Sequence, residues 1–403
     1  MAEAERLTRL AIFILALFLL TGVAHAAEPI RIGILTDISS FGAEVTGTGS
    51  ITAAKLAAED FHGAVGGRPI EFTSADTQNK PDIAASIARQ WFDVEHMDAI
   101  VDVPQSAVAL GVQEIARSRG KVLLITSAVT QDLTGKACSP TTIHWADDTY
   151  ALATGTAREV ARSGKKDWFF VTADFAFGTV MQDALVRVLK QYDGRVVGTV
   201  RPPTSTTDFS SYLLQAQASR ASIVALVSVG SDLVTAVKQA HEFGVVQAGQ
   251  QLVAPIVYLS DVNSLGLDIA QGLLVTSGFY WDDNDATRAF AARYRAVQGS
   301  EPNQTHAGLY AALRTYFAAV GATGSTEPAT VVHAMKATPT EFLGKPATIR
   351  EDGRVIYDLG LYQVKSPGES KAKWDDYRRL RVISGQDAFR PVEGGGCGFV
   401  AGH

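Results

Sequence analysis

The sequence has few of the residues that mark several common classes of protein. Only two cysteines occur in 403 residues, so the chain is not a small domain held together by many disulfides. Lysine and arginine number 36 against 42 aspartates and glutamates, which leaves none of the basic surplus that nucleic-acid binding needs. Its 36 glycines and 14 prolines follow no fixed period, which excludes a collagen-like chain. The length predicts about two domains.

Metal, nucleotide and hydrolase signatures are also missing. The eight histidines are scattered, without an i, i+4 pair or a C-x-x-C motif, so no metal site is predicted. The glycines of Gly47-Thr48-Gly49 precede a predicted helix, but Thr52 stands where a dinucleotide fingerprint has its last glycine. No P-loop, G-x-S-x-G or H-E-x-x-H motif and no nucleophile–base pair is found. We therefore predict no cofactor and no enzymatic activity.

One long apolar run occurs, and it lies at the N-terminus. Arg6 and Arg9 precede the run 10–24, and Ala24-His25-Ala26 follows it. This order predicts a secretory signal peptide at residues 1–26, cleaved after Ala26. The alternative is a membrane anchor, which needs about 20 apolar residues. Without a second long run or a cysteine at the cleavage site, we predict export into a bacterial periplasm without a lipid anchor.

Export changes the interpretation of the two cysteines. Cys138 and Cys397 form the one possible pair in an oxidising compartment, so a disulfide between them is the simplest prediction. Two separate thiols are the alternative.

Apolar, β-rich runs alternate with amphipathic stretches in two successive sets. The first set of predicted strands is Ile30–Thr36, Arg68–Ala75, Ala99–Val103 and Val122–Thr126. After a break near Ser139–Asp148 the second set is Trp168–Thr172, Arg195–Val200, Ile223–Val227 and Leu252–Leu259. Helical periodicity fills the intervals. The pattern predicts an α/β fold with two mostly parallel sheets, each covered on both faces.

The residues that follow the strands are the first candidates for a binding site, because ligands of open α/β sheets lie beyond the carboxyl ends of strands. Ser106 opens a helix after one predicted strand, and Ser127, Ala128 and Val129 follow the next. Hydroxyls and free N–H groups at such places suit a carboxylate. A plain helix N-cap is the alternative for Ser106, and the local pattern leaves both open.

Aromatic residues stand near several predicted strand ends. Phe41, Tyr150 and Phe177 are the candidates for contacts with a ligand, and the alternative for each is a place in the hydrophobic core.

A series of segments carries a family resemblance. They are "IRIGILTDIS", "DVPQSAVALGVQEIA", "TADFAFG", "KQAHEFG" and "AQGLLVT". Together they resemble type I periplasmic solute-binding proteins of ABC importers, in the leucine/isoleucine/valine-binding branch, over Ile30 to Phe389. Within the branch, "ACSPTTIHW", "FYWDD" and "DAFRPVEGGGCGFV" are most similar to members that bind aromatic acids such as coumarate or benzoate derivatives. Such members carry a cysteine before Ser-Pro together with one near the C-terminus, which supports the 138–397 disulfide.

The resemblance implies two Rossmann-like lobes joined by three crossover strands, which close on the ligand. We place the crossings near Trp145, Ser277 and Tyr357. The expected first lobe is 27–145 plus 279–356, the second is 146–278 plus 357–392, and 393–403 is a C-terminal tail.

The resemblance also implies roles for individual residues. Ser106 and Ser127 match the family's carboxylate-binding pair, and Phe177 stands where amino-acid binders usually have a cleft tyrosine. Asp261 matches the acidic residue that holds an α-amino group. Val45 and Val129 replace residues that are often Tyr and Thr. These two departures favour a less polar ligand than a branched-chain amino acid.

The sequence thus predicts a periplasmic protein, monomeric when mature, that captures a small aromatic carboxylate and delivers it to an ABC permease. One alternative is a protein that binds branched-chain or other amino acids. The other is a sensor subunit that uses the same fold to dock on a receptor.

Overall fold

The computed structural model describes residues 27–400, and the predicted signal peptide lies outside them. No helix in this part of the chain is long and apolar enough to cross a membrane.

The first lobe is built on a six-stranded sheet with the order β2-β3-β1-β4-β5-β6, parallel except for the pairing of β2 with β3. The strands are β1 (Ile30–Thr36), β2 (Ala64–Val65), β3 (Arg68–Asp76), β4 (Ala99–Asp102), β5 (Val122–Ile125) and β6 (Thr142–His144). The central strands β4 and β5 are buried along their whole length, as their continuous apolar runs predict.

Helices cover both faces of this sheet. One face carries α1 (Gly47–Glu59), α10 (Asp285–Gln298), α11 (Gln304–Thr323) and α12 (Pro328–Ala337). The other face carries α2 (Pro81–Asp93) and α3 (Ser106–Ser118).

The second lobe has a four-stranded parallel sheet with the order β10-β9-β7-β8. Its strands are β7 (Asp167–Thr172), β8 (Arg195–Val200), β9 (Ile223–Val227) and β10 (Gln251–Val253). One face packs on α4 (Thr149–Arg162) and α5 (Ala176–Lys190). The other packs on α6 (Ser210–Ala218), α7 (Gly230–Glu242), α8 (Leu259–Leu265) and α9 (Leu267–Ala270). The predicted α/β fold with parallel sheets is confirmed.

Two small antiparallel sheets complete the molecule. The sheet β11 (Leu274–Ser277), β15 (Leu359–Val364) and β16 (Tyr377–Ile383) runs between the lobes, because residues at its two ends belong to different hydrophobic cores. The other sheet consists of β12 (Thr340–Phe342), β13 (Lys345–Ile349) and β14 (Val355–Ile356).

Two segments differ from the predicted secondary structure. The predicted strand Leu252–Leu259 is wrong beyond Val253, and Leu259 instead begins α8. Pro255 has no N–H for a sheet ladder, and the continuous apolar run around it carries no periodicity that separates a strand from a buried loop. The short strand β6 was missed because three residues give too little pattern to detect.

The end of the chain lies elsewhere than predicted. After β16 the chain forms α13 (Gly385–Ala388), and Ala388 and Phe389 pack in the core of the first lobe. The expected range 357–392 for the second lobe is therefore too long at its C-terminal end. The pattern gave no signal for this return, because the segment is short. The other lobe boundaries stay predictions.

The predicted disulfide is present. Cys138 and Cys397 are buried and bonded, with their Cα atoms 5.5 Å apart. The bond fastens the C-terminal segment to the first lobe, between β5 and β6.

Candidate functional site

A cavity lies between the lobes, beyond the carboxyl ends of β4 and β5 on one side and of β7, β9 and β10 on the other. It encloses about 550 Å³ of space free of protein atoms, part of it open to solvent. The lining residues share one property, which is that none carries a charged side chain. From the first lobe they are Phe41, Gly42, Val45, Thr46, Asn79, Pro104, Gln105, Ser106, Ser127, Ala128 and Val129. From the second they are Phe175, Phe177, Val229, Gly230, Ile256 and Tyr258.

Ser106 offers an unused hydroxyl to this cavity. The residue is 2% exposed, and its Oγ has no hydrogen-bond partner among the described residues. The N-cap of α3 is Gln105, whose Oε1 accepts a hydrogen bond of 2.8 Å from the N–H of Val108. The alternative that Ser106 is a plain N-cap is therefore wrong. Its hydroxyl remains available to a ligand.

Ser127 is held by a buried carboxylate. Its hydroxyl contacts Oδ1 of Asp102, which also accepts a hydrogen bond of 3.2 Å from Oγ1 of Thr126. Asp102 ends β4 and is 0% exposed, and its Oδ2 has no partner among the described residues. Burial raises the pKa of Asp102 to about 6. Sequence reasoning missed this residue, although an aspartate that closes an otherwise apolar strand was the available signal.

The loop that runs from Asp102 to Ser106 has an unusual backbone. Asp102, Val103 and Gln105 have φ values of 80°, 56° and 68°. This left-handed region is uncommon for any residue other than glycine and rare for a β-branched one such as Val103. Each such residue costs about 1–3 kcal/mol, and such strain clusters at functional sites. Here it places Ser106 directly against the cavity.

Four helices begin at the cavity wall. The lining includes the N-caps of α1 (Thr46) and α5 (Phe175) and the first residues of α3 and α7 (Ser106 and Gly230). No side chain caps α1, α5 or α7. Each helix N-terminus carries about half a positive charge and free N–H donors. Because no cationic side chain is present, these backbone groups give the cavity its attraction for an anion.

Aromatic rings form another part of the lining. The centroid of Phe175 lies 6.2 Å from that of Phe41 and 5.5 Å from that of Phe177. Val45 and Val129 extend this apolar wall. Ile256 and Tyr258 also belong to it, and both were missed because their segment was predicted to be a strand. The cavity lining thus combines polar groups with aromatic and aliphatic side chains.

The two lobes touch at one edge of the cavity. A Cβ atom added to Gly230, in the second lobe, would lie 2.5 Å from the carbonyl oxygen of Phe41, in the first. Gly230 also has a φ of 59°, which disfavours other residues. Only glycine fits here without a change in the distance between the lobes.

The structure brings together six of the eight predicted ligand contacts. Ser106, Ser127, Ala128, Val129, Phe41 and Phe177 all line the cavity.

Asp261 and Tyr150 do not line the cavity, which corrects two predictions. The carboxylate of Asp261 accepts a hydrogen bond of 2.9 Å from the N–H of Tyr258 and lies in the first turn of α8. The family resemblance had implied that it faces the ligand. Burial raises the pKa of Asp261 to about 7, so it is a weaker partner for an ammonium group than predicted. Tyr150 is the second residue of α4 and is half-buried outside the cavity.

Comparison with known proteins identifies the family. The family model described as periplasmic binding protein matches residues 29–371. A periplasmic binding protein from Burkholderia mallei has 41% sequence identity and a TM-score of 0.90, over 93% of this chain and 99% of that chain.

Two further solved structures are of proteins with a named class of ligand or a bound ligand. One is a branched chain amino acid ABC transporter periplasmic ligand-binding protein from Burkholderia xenovorans LB400, with 37% identity and a TM-score of 0.82, over 92% of this chain and 99% of that one. The other is a solute-binding protein of an ABC transporter from R. palustris, solved with benzoate. It has 18% identity and a TM-score of 0.80, over 88% of this chain and 96% of that one, so the likeness is one of fold.

Proposed function

The chain belongs to the periplasmic binding protein family, and from that premise we propose that it captures a small aromatic carboxylate and delivers it to the permease of an ABC importer. The observation that carries the proposal is the cavity itself. Its uncharged lining combines four helix N-termini, an unpaired buried hydroxyl and aromatic rings.

The polar groups of the lining suit a carboxylate. Ser106 offers a hydroxyl, and the N-termini of α3, α5 and α7 offer backbone N–H groups. Hydrogen bonds to a charged partner contribute about 1.5–3 kcal/mol each. Two or three such bonds, with aromatic contacts of about 0.5–1.5 kcal/mol each, reach the roughly 8 kcal/mol of micromolar binding.

The apolar side chains of the lining suit an aromatic ring rather than an α-amino acid. Phe41, Phe175 and Phe177 present aromatic faces and edges, against which a planar ligand can pack. An α-ammonium group needs an acceptor, and no carboxylate lines the cavity. Asp261, the residue expected to supply one, is already bonded within α8.

Branched-chain amino acid binding is the second candidate. The description of the Burkholderia xenovorans relative favours it, at 37% identity over nearly the whole chain. The same cavity walls that suit an aromatic ring also suit an aliphatic side chain, so the absence of a carboxylate among the lining residues is what separates the two candidates.

Thermal denaturation of the mature protein, without residues 1–26, tests the proposal. Benzoate and 4-hydroxybenzoate should raise the melting temperature more than leucine, isoleucine or valine. A ligand at 100 times its Kd adds about 2.7 kcal/mol to the free energy of unfolding. Benzamide isolates the carboxylate and cyclohexanecarboxylate isolates the ring, and each should give a smaller shift than benzoate. A larger shift with leucine would transfer the assignment to amino acids.

The proposed function requires that the protein is exported from the cytoplasm. We propose that the leader is cleaved after Ala26 and that the mature protein acts as a monomer in the periplasm. Mass spectrometry of the protein exported by a bacterial host should give Ala27 as the N-terminal residue, and retention of residues 1–26 would contradict this.

A further inference from the structure

A buried acid stands directly behind one of the two serines of the cavity. Asp102 is 0% exposed, and its Oδ1 is in contact with the Ser127 hydroxyl. Ser127 lines the cavity with 7% of its surface exposed, so it connects the acid to the cavity.

The number of protons available to Ser127 limits what it can bind. A serine hydroxyl has one proton to donate and two lone pairs. When Asp102 is ionised it can only accept hydrogen bonds, so the Ser127 hydroxyl donates its one hydrogen bond to Asp102. Only the lone pairs of Ser127 then face the cavity. A ligand carboxylate would then face an oxygen without a free proton, with a second carboxylate behind it.

We propose that the capture of each carboxylate takes up one proton from solvent, which Asp102 holds. The protonated Asp102 donates to Oγ of Ser127, and Ser127 then donates its own proton to the ligand carboxylate. The only bond made is the O–H bond of Asp102, and the charge of the bound anion is balanced by that proton. This inference rests on the proposed function, because it concerns a carboxylate in the same cavity.

The surroundings of Asp102 favour the protonated acid. Asp37, which directly follows β1, is a neighbouring acid, and it raises the pKa of Asp102 in the same direction as burial. Thr36, Ser50 and Thr126 face it with hydroxyls that favour the ionised form less strongly than burial disfavours it.

The other packed elements bring no cation to Asp102. Tyr258 faces it from the second lobe with a neutral phenol, since burial raises the pKa of that phenol. On α11, His306 is neutral above about pH 4, because burial lowers its pKa to about 4. The first turn of α3 has no charged residue, and no lysine or arginine lines the cavity.

Proton uptake has a signature that does not depend on knowing the affinity in advance. Benzoate is ionised throughout the range from about pH 6 to pH 8, so any pH dependence of its Kd in this range comes from the protein. If one proton is bound with the ligand, the Kd rises about tenfold for each pH unit above the pKa of Asp102.

Titration calorimetry with benzoate on the mature protein tests the proposal. Measurements near pH 7.5 in phosphate and in Tris, which differ in ionisation enthalpy, give the number of protons bound per ligand. The wild type should take up about one proton, and its Kd should rise about tenfold from pH 7 to pH 8. In Asp102→Asn the amide can donate a hydrogen bond to Ser127 at any pH. Proton uptake should therefore be near zero, and the Kd should change by less than about twofold from pH 7 to pH 8.

A matched control and a second variant protect this result. Asp376 is also a buried acid whose pKa is raised to about 6, but it lies outside the cavity, so Asp376→Asn should keep the proton uptake of the wild type. Ser127→Ala removes the connecting hydroxyl, and uptake should fall to near zero with Asp102 in place. This second variant serves if Asp102→Asn does not fold.

The outcomes separate this inference from the function on which it rests. Tight benzoate binding to the wild type with no proton uptake and a flat pH profile would overturn the role of Asp102 and leave the proposed function standing. No binding of any aromatic carboxylate at about pH 5.5, where Asp102 is mostly protonated, would overturn both.

Discussion

The Tyr357 hydroxyl shares its single proton between two acceptors, Oδ1 of Asp147 at 2.9 Å and the carbonyl oxygen of Trp145 at 2.7 Å. The other carboxylate oxygen of Asp147 accepts a 2.8 Å hydrogen bond from the N–H of Gly278. Trp145, Gly278 and Tyr357 lie where three predicted passages of the chain between the lobes occur. The carboxylate of Asp147, two residues beyond Trp145, therefore joins the passages at Gly278 and Tyr357 to its own.

Replacement of Tyr357 by Phe tests the importance of that link. The variant leaves one oxygen of a buried carboxylate without its partner, so we expect a loss of about 1–3 kcal/mol in the free energy of unfolding. Chemical denaturation measures the loss. Tyr212→Phe is the control, because the hydroxyl of Tyr212 makes no hydrogen bond to the described residues and its ring is half-buried. Equal stability of the two variants would show that the link is unimportant.

Ser106→Ala distinguishes ligand binding from helix capping. Because Gln105 caps α3, the variant should unfold with nearly the free energy of the wild type, while its benzoate Kd should rise about 10- to 150-fold through the loss of a charge-assisted bond. Calorimetry gives the Kd, and a melting curve gives the stability. Gln105→Ala is the opposite case and should lose about 1 kcal/mol of stability. An affinity of Ser106→Ala within twofold of wild type would remove Ser106 from the site.

The fold and half of the site were predictable because their signals are local. Each buried strand is a short apolar run, and the residue after it falls at the same sheet edge as its neighbours, which is how Ser106 and Ser127 were found. The family resemblance added the prediction of two lobes that close on a ligand. It also added the inference that Val45 and Val129 favour a less polar ligand.

The remaining parts depend on contacts between distant residues. The run around Pro255 has no periodicity, so Tyr258 and Ile256 were missed. Asp102 acquires its raised pKa only through burial, which the alternation of residues along one strand does not reveal. The capping role of Gln105 depends on a left-handed backbone that its residue type does not favour.

Gly230→Ala tests whether contact between the lobes at Phe41 matters for binding. The added methyl group would approach the Phe41 carbonyl oxygen to 2.5 Å, so the lobes must separate or the loop must shift. We expect the benzoate Kd to rise by at least about tenfold, a loss of about 1.4 kcal/mol or more. Gly272→Ala is the matched control, because Gly272 lies in the same lobe with a φ of 84° and nothing within 4 Å of an added Cβ. It should lose stability without a change in Kd, and the same Kd in both variants would contradict the prediction.

Asp102→Asn should make the protein without ligand more stable at neutral and alkaline pH. The folded protein holds the Asp102 proton with a pKa of about 6, whereas in the unfolded chain the value is about 4. The folded state therefore binds this proton more tightly, and the contribution of Asp102 to stability is full below about pH 4 and is lost as the pH rises to about 6. Above that, the loss approaches 3 kcal/mol, at about 1.4 kcal/mol for each pKa unit. Asparagine has no charge to bury and still offers a hydrogen-bonding group to Ser127 and Thr126, so the variant should avoid the loss.

Urea denaturation of wild type and Asp102→Asn at about pH 4 and pH 8 measures this difference. The gap between the two proteins should be small at pH 4 and should reach about 2–3 kcal/mol in favour of the variant at pH 8. Asp93→Asn is the control of opposite sign, because the hydrogen bond from Arg119 lowers the pKa of the exposed Asp93 and its removal should not stabilise the protein at pH 8. A gap of the same size at both pH values would mean that Asp102 is not the group that titrates, and proton uptake on ligand binding would then need another acceptor.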